Sequence, residues 1–269
     1  MGYIKLIITL ILFAFLYLPI VPPLVREWIS VDDYSHGFLI PFISLYFLWH
    51  KRDDLKNTPV SPSWAGIVFI VAGLALYFAA RIGYQFFLQC LSAFIVLFGI
   101  IYVNAGRQMA KKVSFAIAYL VFMIPLPQLV YNTVTFHMRL LSTKLAYAVI
   151  KLLGATATRD GNIINLPTCS LVVANPCSGL RGLIVLMAAS LAIGYIFQTD
   201  IRKRIILFIS ALLISILMNT ARLVATAVAV DMLEAFDVPA SVHNATGIIA
   251  VMIGLAILFW ISEMLRKVR

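Results

Sequence analysis

Long runs of apolar residues dominate the chain, and short polar segments separate them. A helix rises about 1.5 Å per residue, so about 20 apolar residues cross a hydrocarbon layer about 30 Å thick. Eight runs are long enough or nearly so, although the second and third are short and could be tilted or partly interfacial. We expect transmembrane helices at about 4–25, 37–50, 64–80, 84–103, 113–131, 178–198, 205–230 and 244–265.

Residues 132–153 are apolar but break this pattern, because polar side chains recur every seven residues at His137, Lys144 and Lys151. Seven residues make about two helical turns, so these side chains form a stripe along one helix face. The pattern indicates an amphipathic helix that lies on the outer membrane surface. A ninth span is the alternative, but it would invert the orientation of every later span.

Residues 161–174 alternate in polarity and are rich in β-branched side chains. This pattern predicts a short extended or hairpin segment outside the membrane. Because no repeat, low-complexity tract or linker interrupts the chain, we expect a single membrane-embedded domain over residues 1–269. The predicted fold is therefore all-α and polytopic, with about eight transmembrane helices, an external amphipathic helix and a short extended segment.

The composition supports a membrane protein. Apolar residues make up 62% of the chain and charged residues 12%, whereas soluble domains are about half apolar and about a quarter charged. The net charge of +10 does not require a nucleic-acid partner, because basic residues of membrane proteins collect in cytoplasmic loops. With the N-terminus inside, alternating spans put most of the 21 basic residues on the inner side. We therefore expect membrane lipid around the chain, both termini in the cytoplasm and no nucleic acid.

Two polar residues interrupt the seventh apolar run. Asn219 and Arg222 are three residues apart, so they share a helix face. A charged residue inside a span is costly and marks a candidate functional site. By its position in the run, Arg222 falls near the outer boundary, where a snorkelling arginine is the structural alternative. Asn219 weakens that alternative, because an amide gains nothing from facing lipid.

The stretch ANPCSGLRGL places Cys177 at the expected outer start of the sixth helix. Unpaired backbone N–H groups and the helix dipole favour a thiolate there. Asn175 or Ser178 can cap the turn, and Arg181 adds positive potential one turn further on. The alternative for a cysteine is a small buried hydrophobic residue, which suits Cys90 in the middle of a span.

A third candidate, His243, precedes the eighth run on the same outer side. Acyl transfer by a thiol needs a nucleophile, a proton shuttle and a group that stabilises the oxyanion. Cys177, His243 and Arg222 are the residue types that this chemistry uses. A lone interfacial histidine is more often structural, and chance convergence of chain ends on one face is the competing explanation.

Three stretches resemble the exosortase/archaeosortase family: ANPCSGLRGL around Cys177, NTAR ending at Arg222, and the pair formed by His243 and Asn244. The order and spacing of the cysteine, arginine and histidine are the specific part of the resemblance, which runs over most of the chain. The third position is histidine in exosortases and arginine in the archaeal branch. The sequence is therefore similar to the bacterial exosortase branch.

The early stretch DDYSHGFLIPFISLYFLW also looks like the corresponding segment of that family. Asp33 and His36 lie in it, outside the membrane by the expected topology, and could line the site. His36 is thus the rival of His243 as proton shuttle, and the family pattern favours His243.

The resemblance implies a cysteine peptidase or transpeptidase in the bacterial inner membrane, with its active site facing the periplasm. Its implied substrates are proteins that end in a short motif such as Pro-Glu-Pro, an apolar helix and a basic tail. Cys177 would be the nucleophile, Arg222 the oxyanion partner and His243 the proton shuttle. Supporting or substrate-binding roles fall to Asn175, Ser178, Arg181, Asn219 and Asn244. The acceptor, a lipid or a polysaccharide, stays open.

Other functions predict different features. A transporter would place its polar residues nearer the middle of the membrane, and a non-enzymatic scaffold for envelope polysaccharide assembly would tolerate loss of Cys177. The sequence contains no Gly-x-Ser-x-Gly, no His-Glu-x-x-His, no zinc-type Cys/His spacing and no credible pair of intramembrane aspartates. These absences argue against serine, zinc and aspartyl proteases. We therefore expect neither a metal nor a cofactor.

Overall fold

The computed structural model describes residues 2–167, 170–173, 178–233 and 240–267, and their side chains except at 2–6, 231–233 and 240–244. The chain divides into two compact units, residues 1–127 and residues 128–269. Each unit has its own internal packing. A single domain over residues 1–269 stays a prediction.

The regular elements described in the first unit are all helices. Pro22 and Pro23 occupy the first turn of the helix Val21–Ser30, where a missing backbone N–H costs nothing. Short 3-10 segments at Leu18–Ile20, Asp32–Phe38 and Leu120–Met123 join or extend the α-helices. The helices of this unit are α1 (Gly2–Tyr17), α2 (Val21–Ser30), α3 (Leu39–His50), α4 (Arg52–Lys56), α5 (Gly66–Ile82) and α6 (Phe86–Tyr119).

We expected two separate spans at 84–103 and 113–131. The α6 segment consists of two helices that meet at Gly106, where φ is 88° and ψ is 178° and the backbone is not helical. A Cβ at Gly106 would collide with the carbonyl oxygen of Ser61, so the crossing chain fits against glycine alone. The helix then ends before Pro125 and Pro127, which cannot continue an α-helical ladder.

The second unit begins with the predicted amphipathic helix, α7, at Gln128–Leu152. It starts before residue 132, directly after the proline pair. His137, Lys144 and Lys151 are all exposed, so the predicted polar stripe is confirmed. The opposite face is buried at Thr135, Met138, Ser142, Ala146 and Ile150, and α7 packs against α9 (Ile201–Leu233). The position of α7 at a membrane surface stays a prediction.

The predicted extended segment forms a small antiparallel sheet in the order β1 (Thr158–Asp160), β2 (Ile163–Asn165) and β3 (Ser170–Val172). Ile164 and Val173 are fully buried and pack against Ile150 of α7 and Leu223 of α9. The sheet is thus anchored to α9 next to Arg222. It begins before residue 161, and Thr168 and Cys169 lie outside the described residues.

Three helices complete the second unit: α8 (Leu180–Phe197), α9 and α10 (Ala240–Lys267). They pack around one core that contains Leu186, Leu207, Ala211, Ile214 and Leu258. Each contributes to it, so α8, α9 and α10 form one layer of mutually contacting helices.

Five helical segments among the described residues are long and apolar enough to cross a membrane, at Ile7–Ser30, Phe86–Met123, Leu180–Phe197, Ile201–Val230 and Ala245–Lys267. A shorter apolar helix covers Gly66–Ile82. The prediction of an all-α membrane protein is confirmed, although a small sheet accompanies the helices. The count of eight spans stays a prediction, since α3 has only 12 residues.

Candidate active site

The chain enters α8 through a glycine in a left-handed conformation. Gly179 has φ 85° and ψ 5°, and an added Cβ would lie 2.7 Å from Cγ of Asn219. Residues that have a side chain rarely adopt this φ, and a Cβ would leave no room for the Asn219 amide. Ser178, which is 1% exposed, accepts a hydrogen bond at its Oγ from the Leu180 N–H at 3.2 Å. Ser178, one of the two capping candidates, therefore accepts from the first backbone N–H of α8, although the N-cap position itself is Gly179.

Asn219 faces the interior of the second unit. Its side chain is 6% exposed, and its Nδ2 donates to Ser142 Oγ of α7 at 2.9 Å. Hydrogen bonds between helices contribute to membrane-protein packing, because lipid offers no alternative partner for an amide. Asn219 thus joins α9, α7 and the start of α8.

Arg222 lies one turn after Asn219 and is half-buried. An added Cβ at Gly247 of α10 would lie 2.9 Å from Arg222 Nη1, so the guanidinium rests against the backbone of α10. Gly247 is one helical turn after position 243, on the same helix face. The contact therefore brings the α9 arginine to the part of α10 that contains His243.

The described residues do not cover every predicted member of the site. Cys177 and Asn175 lie outside them. His243 and Asn244 belong to α10, but their side chains also lie outside. Arg181 is half-buried in the first turn of α8. The structure thus brings together Gly179, Asn219, Arg222 and Gly247, and we call this group the Arg222 end. Arg222 belongs to the predicted trio, Gly179 follows Cys177 by two residues, and Gly247 follows position 243 by one helical turn.

Asp33 and His36 belong to the first unit. His36 donates through Nε2 to the carbonyl of Phe122 at 3.1 Å, since a carbonyl can only accept. Asp33 is 8% exposed. His36 thus ties the 3-10 segment Asp32–Phe38 to the chain that follows α6.

Tyr34 strengthens the same connection, because its hydroxyl accepts a hydrogen bond from the Leu126 N–H at 3.3 Å. Burial, with smaller contributions from nearby carboxylates, raises the pKa of Tyr34 to about 12. Its hydroxyl therefore stays protonated at neutral pH. The contacts of this segment stabilise the first unit.

Sequence reasoning missed Ser142 and Gly247. A serine on an apolar helix face gives no sign of whether it contacts a residue 77 positions away. Gly247 had a weak signal, because a small residue one turn from a candidate histidine permits close approach of another side chain. No cluster of three His, Cys, Asp or Glu side chains suited to a metal ion occurs within the part of the chain that the structure describes.

Comparison with known proteins identifies a family. The family model of the transmembrane exosortases covers residues 28–260, which include both early candidates and all three members of the predicted trio. No curated protein and no solved structure matches the chain. Because the match spans most of the sequence, the chain belongs to the transmembrane exosortase family.

Proposed function

We propose that the protein is a cysteine transpeptidase that cleaves a C-terminal sorting signal and transfers the protein to an acceptor. The observation that carries the proposal is the close approach of three distant chain segments at the Arg222 end. Gly179 is two residues after Cys177, Asn219 is one turn before Arg222, and Gly247 is one turn after position 243.

Electrostatics support an anionic reaction centre. The first N–H groups of a helix are unpaired, and its dipole is positive at this end. The N-terminal turn of α8 packs on Asn219, one turn from the Arg222 guanidinium. The positive end of the helix and the guanidinium each favour a nearby anion. A thiolate and a developing oxyanion are such anions.

The reaction would proceed in two halves. The Cys177 thiolate attacks the scissile carbonyl, and Arg222 together with N–H groups of the α8 terminus stabilises the oxyanion. The intermediate expels the amine, which takes a proton from the His243 imidazolium, and a thioester remains on Cys177. His243 then removes a proton from the acceptor nucleophile, which attacks the thioester and releases the thiolate.

The proposed substrates follow from the family and from membrane physics. Their C-terminal apolar helix would insert beside the enzyme, and their basic tail would stop on the cytoplasmic side. The scissile motif, of the Pro-Glu-Pro type, would then lie at the periplasmic face of the inner membrane. The acceptor would be an envelope lipid or polysaccharide.

The test is processing of a tagged substrate in proteoliposomes by Cys177→Ala and Cys177→Ser. Both variants should insert normally and lose processing. The matched control is Cys90→Ala, because Cys90 is a free thiol that is 3% exposed in α6. This control should process substrate as the unmodified enzyme does.

Processing by Cys177→Ala would refute thiol catalysis and favour a non-enzymatic scaffold. Solute flux in the same liposomes, independent of Cys177, would instead identify a transporter. A substrate peptide trapped on Cys177 as a thioester would support the proposal.

A further inference from the structure

The hydroxyl of Ser142 is one of two contacts that hold the Asn219 side chain in place. Ser142 is 1% exposed, and its Oγ lies 2.9 Å from Asn219 Nδ2. Its neighbours on the buried face of α7 include Met138 and Ala146. On such a face an alanine would pack equally well, whereas a buried hydroxyl is costly unless it is hydrogen-bonded. The bond to Asn219 supplies the reason for a serine.

The opposite side of the Asn219 amide touches the start of α8. The three nearest atoms to an ideal Cβ at Gly179 are Cγ, Cβ and Nδ2 of Asn219, at 2.7, 2.9 and 2.9 Å. Asn219 is therefore held between Ser142 and Gly179. Any rotation of the amide away from Ser142 changes the surface on which Gly179 rests.

We infer that Ser142 is a positioning residue, which through Asn219 fixes the start of α8 relative to the Arg222 turn of α9. This inference rests on the proposed function, because Cys177 is two residues before Gly179. Small displacements of a nucleophile relative to its oxyanion partner have large effects on rate. Ser142 contributes to the reaction without touching substrate.

The test compares Ser142→Ala with Ser190→Ala. Ser190 is also 1% exposed, but its hydroxyl donates to Met187 of its own helix at 2.7 Å. Both variants lose one buried hydroxyl, and only the first removes a hydrogen bond of Asn219. Loss of one hydrogen bond of ordinary strength corresponds to about a fivefold fall in kcat, with KM unchanged. Rates are normalised to the folded fraction from size-exclusion chromatography.

Two further readouts separate positioning from general destabilisation. The midpoint of the pH dependence of Cys177 alkylation by iodoacetamide should move to higher pH in Ser142→Ala, because the thiolate is held less firmly at the positive end of α8. Ser190→Ala should leave that midpoint unchanged. In an Asn219→Ala background, Ser142→Ala should have no additional effect on kcat.

Unchanged kcat and alkylation in Ser142→Ala would overturn the inference. Equal losses in Ser142→Ala and Ser190→Ala, or additive effects with Asn219→Ala, would do the same, since they indicate a merely structural role. The alkylation readout also separates this inference from the proposed function. If Cys177→Ala still processes substrate, the proposed reaction fails, yet alkylation of Cys177 still reports whether Ser142 positions it.

Discussion

The two ends of the α8, α9 and α10 layer each contain an arginine from α9, but the two arginines have different surroundings. Arg204 donates through Nε and Nη2 to the carbonyl of Gln198, at 2.9 and 2.8 Å. Gln198 in turn donates through Nε2 to the carbonyl and hydroxyl of Ser262 in α10, at 2.7 and 2.9 Å. We call these three residues the Arg204 end.

The Arg204 end has a complete structural explanation. Gln198 follows the last residue of α8, where backbone carbonyls need donors and the dipole favours a cation. At the Arg222 end, by contrast, the arginine lies one turn from Asn219, which contacts the beginning of α8. The dipole of a helix disfavours a cation at its beginning. The comparison teaches that the two arginines make different contacts: Arg204 binds Gln198 at the end of α8, whereas Arg222 lies against Gly247 of α10.

The largest effect that tests this difference is expected for Arg222→Lys compared with Arg204→Lys. An ammonium lacks the planar fork of a guanidinium, and loss of one oxyanion donor lowers kcat about 100-fold to 1,000-fold. Arg222→Lys should therefore lose processing on that scale while it folds normally. Arg204→Lys should lower the melting temperature by a few degrees and leave the rate per folded enzyme unchanged.

The measurement is processing in proteoliposomes together with thermal unfolding in detergent. A normal rate for Arg222→Lys would indicate that Arg222 merely snorkels. A selective loss of rate in Arg204→Lys would remove the distinction between the two ends.

The next effect concerns one glycine at each end of α8. Gly179→Ala places a Cβ 2.7 Å from Asn219 at a φ of 85°, a conformation that costs about 1–3 kcal/mol for other residues. We expect a fall in processing of about tenfold, because the start of α8 must move. The matched control is Gly194→Ala, where a Cβ would be in ordinary contact with Arg204 Cγ at 3.4 Å.

Gly194 lies in the last turns of α8, and alanine is favoured over glycine in helices by about 1 kcal/mol. Gly194→Ala should therefore keep the rate and unfold at an equal or higher temperature. Equal rates for the two alanine variants would show that the close packing of Gly179 and Asn219 is irrelevant to the reaction.

Local periodicity explains which parts of this architecture the sequence could predict. The seven-residue spacing of His137, Lys144 and Lys151 predicted α7 and its exposed stripe, because side-chain direction in a helix depends on spacing alone. Alternation likewise predicted an extended or hairpin segment at 161–174, where β2 and β3 lie. The shared face of Asn219 and Arg222 also followed from their separation.

Long-range contacts explain what the sequence could not predict. The fit of the crossing chain at Gly106 depends on Ser61, which is distant in sequence, so nothing local indicated this close approach. The bond between Ser142 and Asn219 is equally non-local. Gly179 is close to Cys177 in sequence, but its contact with the Asn219 amide became visible only in the structure.

The smallest effect on rate is expected at Gln198. Gln198→Ala removes both hydrogen bonds to Ser262 but keeps the backbone carbonyl that accepts from Arg204. Two buried hydrogen bonds contribute about 1–3 kcal/mol, so the melting temperature should fall by several degrees. The rate per folded enzyme should stay within about twofold, because this end lies about 20 residues of α9, or about 30 Å, from Arg222.

The counterpart of Gln198→Ala is Asn219→Ala, which should lower the rate more than it lowers the melting temperature. If Gln198→Ala and Asn219→Ala gave the same ratio of rate loss to stability loss, the two ends of the layer would be functionally equivalent, and the chemistry would have to be sought away from Arg222.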